Sequence, residues 1–132
     1  MPSKFSILIV GMLFVAMFIT GCSSKTYHIK DIVELKDEQP TSIIIHFDDP
    51  SIEPKIIEAK DDIDIIIRNL TELTYKRMKS NSPAPLGNTS FELNYSDGSK
   101  LELGAMYVKD LHGDLYQAES MDFASLLESY RP

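Results

Sequence analysis

The run His46-Phe47-Asp48-Asp49 holds the densest set of groups able to do proton or metal chemistry. In an extended chain alternate residues share a face, which sets the His46 imidazole and the Asp48 carboxylate side by side, near enough for a proton relay or a pair of metal ligands. A catalytic zinc site takes three protein ligands and a water, and the other two histidines, His28 and His112, stand in unrelated contexts. The expectation for His46, Asp48 and Asp49 is therefore a solvated strand end. Asp61, Asp62 and Asp64 suggest calcium, but neither the turn glycine nor the distal glutamate of a calcium loop accompanies them. Helix capping is the expected role. No nucleophile elbow, phosphate loop or dinucleotide fingerprint occurs, and a carboxylate pair for glycoside hydrolysis is invisible to spacing alone. Tyr75, Tyr95, Tyr107, Tyr116 and Tyr130 would furnish an aromatic binding surface if exposed; rings half-buried in a sheet core are the expected case. No catalytic residue, metal or cofactor is assigned on this basis.

The single cysteine, Cys22, is the remaining reactive group. With no second thiol in the chain it has no internal disulfide partner. Ahead of it, Met1–Lys4 forms a short basic start, and Phe5–Ile19 is apolar without a charge. Fifteen helical residues rise about 22 Å, short of the ~30 Å hydrocarbon core. That length, with small residues at its exit, reads as the apolar region of a secretory signal rather than a permanent span. The tetrad Ile19-Thr20-Gly21-Cys22 resembles the lipobox of bacterial lipoproteins: an aliphatic residue, a small one, Gly or Ala, then the cysteine. The resemblance covers residues 1–22. It implies a diacylglyceryl group on the Cys22 sulfur and cleavage before Cys22, so that residues 1–21 are a signal peptide and the membrane is held through that lipid. Two acyl chains supply the dual signal that stable attachment requires, at about 0.8 kcal/mol per buried methylene.

These elements divide the chain into the signal peptide, a lipidated tether over residues 22–26, and one domain over residues 27–132. The formal charge is −7, and loss of Lys4 with the leader takes it to −8. Such acidity argues against nucleic-acid binding, which needs a basic face to displace phosphate counterions, and against flat adsorption of the whole domain on anionic lipid.

To position these residues the domain needs strands, a helix, more strands and a second helix. Tyr27–Leu35 reads as an edge strand. Thr41–Phe47 reads as a strand with Ile43, Ile45 and Phe47 on one face, and Lys55–Ala59 as a short strand. Ile63, Ile66, Ile67, Leu70 and Leu73 follow helical spacing, which predicts a helix over Asp61–Lys79 with Asp61 as its cap and Lys76, Arg77 and Lys79 near its C-terminal end. Ser80–Asn88 reads as a loop. Across Ser90–Leu103 a two-residue turn would set Leu93 against Glu102. A three-residue loop, Ser96-Asp97-Gly98 with Gly98 left-handed, pairs Leu93 with Leu101 and Phe91 with Leu103 and leaves one apolar face, so it is preferred. Ala105–Leu111 and Asp114–Ala118 form a second hairpin across His112-Gly113. Met121–Tyr130 closes the chain as a helix capped by Ser120 or Asp122. The fold class is α+β: a mostly antiparallel sheet with a central amphipathic helix and a C-terminal helix on one face.

The functional expectation is a non-catalytic module on the outer side of the membrane. In layout the chain resembles small lipoproteins of Gram-positive bacteria whose function is uncharacterised, which implies binding to another envelope protein, a peptide or a cell-wall component. Two alternatives stand beside it: an enzyme or metal-handling protein using His46 and nearby acids, and an acidic inhibitor or immunity-type protein.

Overall fold

The computed structural model describes residues 25–79 and 89–132. The expected signal peptide, Cys22, the first part of the expected tether and the loop read at Ser80–Asn88 lie outside the described residues.

The Ser90–Asn94 and Lys100–Gly104 strands, β5 and β6, pair in the register that the side-chain phase demands, Phe91 opposite Leu103 and Leu93 opposite Leu101. Their loop closes with Gly98 N–H donating to the Tyr95 carbonyl at 3.0 Å, and Gly98 sits at φ +85°, the left-handed conformation only glycine adopts freely. Gly113, at φ +84°, donates to the Asp110 carbonyl at 3.1 Å in the same way, so the hairpin of β7 (Tyr107–Lys109) and β8 (Leu115–Ala118) uses the same three-residue turn.

The remaining strands are β1 (Tyr27–His28), β2 (Ser42–His46), β3 (Lys55–Ile57) and β4 (Thr74–Arg77). All pairings among these eight strands are antiparallel, in two four-stranded sheets ordered β1-β4-β8-β7 and β3-β2-β5-β6. Three of the four edge strands are short, two residues in β1 and three each in β3 and β7, while the fourth edge, β6, has five. Among the described residues three helices complete an α+β fold: α1 (Ile29–Ile32), α2 (Lys60–Glu72) and α3 (Asp122–Glu128). Alternation does what β2 requires, with Ile43, Ile45 and Phe47 buried. Helix α2 buries Ile63, Ile66 and Leu70, and α3 buries Phe123 and Leu127. Phe123 meets Phe91 edge to face at 5.3 Å, which seats α3 on the inner face of the second sheet. All these side chains belong to one hydrophobic cluster.

Two sequence expectations are corrected. The helix expected to run to Lys79 ends at Glu72; Leu73 turns extended at ψ 137° and Thr74–Arg77 become β4, carrying Lys76 and Arg77 into a strand. The cause is tertiary: β4 is bonded on one side to β1 and on the other to β8, and β-branched Thr74 and aromatic Tyr75 suit that place better than a fourth helical turn. The cap also moves, since Ala59 occupies the N-cap and Asp61 and Asp62 sit in the first turn. Second, Tyr27–Leu35 is not one strand. After His28 the chain makes a helical turn that buries Ile29 and Ile32, residues three apart, and the Asp31 carboxylate reaches back to accept the His28 N–H at 2.8 Å.

Tyr75 is fully buried, and its hydroxyl has no hydrogen-bond partner among the described residues. Burial pushes its ionisation well above the ordinary tyrosine range. An unsatisfied buried donor costs about 1–3 kcal/mol. Tyr75→Phe is therefore expected to stabilise the domain by about 1 kcal/mol, read as a higher urea midpoint with unchanged slope. Because the folded value lies above the unfolded one, native stability holds below about pH 10 and falls above it as the unfolded chain ionises first. The variant should lose less there.

Candidate functional site

The structure divides the residues that looked most chemical. Asp48 pairs with Arg131 at 2.9 Å, and Arg131 also meets Glu128 at 3.0 Å and lies over the Phe47 ring at 5.6 Å. Glu128 in turn accepts from the buried Thr89 hydroxyl at 2.8 Å. Asp48 thus ties the end of β2 to the C-terminal helix. Asp49 folds back on its own turn, accepting the Ser51 N–H at 2.9 Å and the Ser51 hydroxyl at 2.7 Å, bonds that lower its carboxyl below the usual range. The acids of α2 diverge too: Asp62 accepts from the Tyr130 hydroxyl at 3.3 Å and Asp64 from the Gln39 amide at 2.5 Å. No cluster of three metal-ligating side chains occurs among the described residues. Tyr75, Tyr95 and Tyr116 are buried, and Tyr27 packs edge to face on Tyr116 at 5.0 Å, so they do not form an aromatic surface.

His46 meets a carboxylate that the sequence did not mark. Its Nε2 lies 3.8 Å from Glu92 Oε2, while Glu92 Oε1 lies 3.3 Å from Lys100 Nζ. The three sit on adjacent strands. Glu92 faces Ile44 on β2 and Glu102 on β6, and His46 and Lys100 are its diagonal neighbours on those strands. Directly opposed like charges are unfavourable in a sheet, and the Lys100 ammonium offsets the Glu92–Glu102 opposition. The Glu92 side chain is only 15% exposed although it lies on the outward phase of the sheet. Beyond it Ile44 pairs with Ile56, which is 56% exposed on edge strand β3. The result is an open face with an aliphatic edge and a charged centre, able to hydrogen-bond and to bury a small apolar contact. Only the polar phase of β2 and β5 hinted at it.

Concave sites are small. A cleft of about 140 Å³ lies between α2 and the segment before β2, lined by Lys36, Gln39, Ile67 and Tyr95 among others. Another of about 240 Å³ lies between the end of α2 and the start of α3, lined by Asn69, Glu72, Ser120 and Asp122 among others. Both fall below the roughly 300–1,000 Å³ of small-molecule sites. No protein-family model, curated protein or solved structure matches this chain.

At the rim of the first cleft Lys36 binds the Asp97 carboxylate and donates to the Ser99 hydroxyl at 2.7 Å, which fastens the segment before β2 to the β5–β6 turn. The hydrogen bond from Lys36, then those from Ser99, hold the Asp97 carboxyl far below its ordinary value. A depressed acid stabilises the fold above its unfolded pKa, about 3.9, and loses that contribution as pH falls toward the folded value. The melting temperature is expected to drop below about pH 4, and Asp97→Asn should flatten that drop; calorimetry from pH 7 to pH 2 reads both.

Proposed function

We infer that this chain is a lipid-anchored protein of the bacterial cell envelope, held at the membrane through Cys22 and facing outside the cytoplasm, and that it acts by binding rather than by catalysis. The observation that carries the reading is the junction of anchor and fold. The lipobox-like Ile19-Thr20-Gly21-Cys22 is followed at Tyr27 by β1, a strand of the folded domain, so the body begins directly behind the modified residue. No helix among the described residues is long and apolar enough to cross a membrane; the attachment this reading requires is the acyl pair on Cys22. The separate engagement of His46, Asp48 and Asp49 supports binding over catalysis, as does the flat, mixed face around Glu92, Ile44 and Ile56. Such a face suits an envelope protein, a peptide or a cell-wall component.

Intact-mass measurement on protein purified from native membranes tests the anchor. The expected product begins at Cys22 and carries the diacylglyceryl mass. A product retaining residues 1–21 with a free thiol overturns the reading.

A further inference from the structure

Strand register fixes which end of the first sheet the anchor approaches. Tyr27 pairs with Tyr75 and His28 with Thr74, so moving from Tyr27 toward Cys22 runs alongside β4 from Tyr75 toward Arg77. Arg77 pairs with Tyr116, and Tyr116 with Val108, two residues short of the β7–β8 turn. The entry of the chain, the exit of β4 and the tip of the β7–β8 hairpin therefore share one end of the sheet. That tip presents Leu111, which is 96% exposed.

The lengths agree. Lys25 follows Cys22 by three residue steps, which reach about 10 Å when extended. Leu111 likewise follows Val108 by three residue steps, about 10 Å along the strand direction. A lipid on Cys22 and the Leu111 side chain can thus meet the same plane.

The charge agrees as well, against the sign of the whole chain. Lys25, Arg77, Lys79 and Lys109 lie at this end. Its carboxylates among the described residues are engaged locally: Asp114 with Arg77 at 2.7 Å, and Asp110 with the His112 and Asp114 N–H groups at 2.9 Å each and the Tyr116 hydroxyl at 3.2 Å. Lys25 rests over the Tyr27 ring at 5.1 Å, and Lys79 and Lys109 have no carboxylate partner among the described residues. Exposed lysines and one apolar residue at a tight turn match the headgroup layer of an anionic bilayer, where cations meet phosphates and a leucine enters the acyl boundary.

The geometry points to this end as a membrane-contact surface: the Leu111 tip inserts into the anionic bilayer that holds the Cys22 lipid, and the lysines around it seat on lipid phosphates. The anchor then sets the orientation of the domain as well as its location, with the acidic remainder turned away. This rests on the lipid-anchor reading above.

The chain contains no tryptophan, so a single introduced one reports its own surroundings. The mature lipidated protein would carry His112→Trp beside Leu111, or Met121→Trp beyond the other end of β8 as reference. Each is reconstituted in phosphatidylglycerol–phosphatidylcholine vesicles with brominated acyl chains. Tryptophan in His112→Trp is expected to be quenched several-fold more than in Met121→Trp, and Leu111→Ala added to His112→Trp should remove most of that excess. Equal quenching at the two positions, or quenching indifferent to Leu111→Ala, in protein that floats with the vesicles overturns the contact and leaves the anchor standing. Protein that fails to float overturns both.

Discussion

A Cys22→Ser chain is expected to carry no acyl group and to keep residues 1–21. The modification needs a sulfur nucleophile, and the thiolate is the reactive form; a serine hydroxyl ionises too weakly to replace it. Cleavage, on the lipoprotein reading, follows acylation and therefore stops as well. The effect is all or none, because the chain offers no second cysteine to take over the role. Growth with labelled palmitate checks it. Label should enter the wild-type band and be absent from the variant, which should migrate as the longer polypeptide. A labelled variant would place the lipid elsewhere, and a cleaved but unlabelled one would mean an ordinary secretory leader. The loss can be sized: two acyl chains at about 0.8 kcal/mol per buried methylene exceed any single contact within the folded domain.

Within the domain the largest effect is expected at Phe91. It is fully buried on β5, flanked by Ile45 and Leu103 in register, and faces Phe123 of α3 at 5.3 Å. Truncation to alanine removes the ring's transfer energy and leaves a cavity between sheet and helix, together about 3–5 kcal/mol. A domain of this size is stable by about 5–15 kcal/mol, so Phe91→Ala should unfold at a far lower urea concentration and at a temperature on the order of 15 °C or more below wild type. Phe91→Leu keeps most of the volume and should lose much less. Ile44→Ala, on the opposite face of the neighbouring strand and only partly buried, should cost least of the three. An equal cost for Ile44→Ala and Phe91→Ala would contradict the assignment of faces.

What the sequence made legible was local. The phase of Phe91, Leu93, Leu101 and Leu103 is enough to choose the loop length, because a wrong register turns apolar side chains to water. Helical spacing identifies Ile63, Ile66 and Leu70 because three turns of one face repeat within a few residues. The same spacing misleads at Leu73. That residue is buried on the helical count, but it is equally consistent with the alternation Leu73, Tyr75 of a strand, and distant β1 and β8 decide between them. At Ile29 and Ile32 four residues are too few for periodicity to speak. The candidate face was half visible. His46 stood out by type, yet its neighbour Glu92 lies forty-six positions away and shares its face only because β2 and β5 pair. Asp48 and Asp49 likewise drew notice as chemistry and proved to brace Arg131 and a turn, contacts that no spacing rule encodes.

On the lipid-anchor reading, the unequal length of the edge strands carries a consequence for copies tethered to one bilayer. Confinement to two dimensions raises their mutual encounter rate, and an unpaired strand edge is a template onto which a neighbour can add. Two backbone positions on β1 and three on β3 and on β7 offer too few bonds to hold a second copy, whereas the five-residue edge strand β6 is long enough to pair and is guarded only by its exposed charges Lys100 and Glu102. Edge-to-edge pairing between neighbouring copies would therefore fall on β6 rather than on the other three edges.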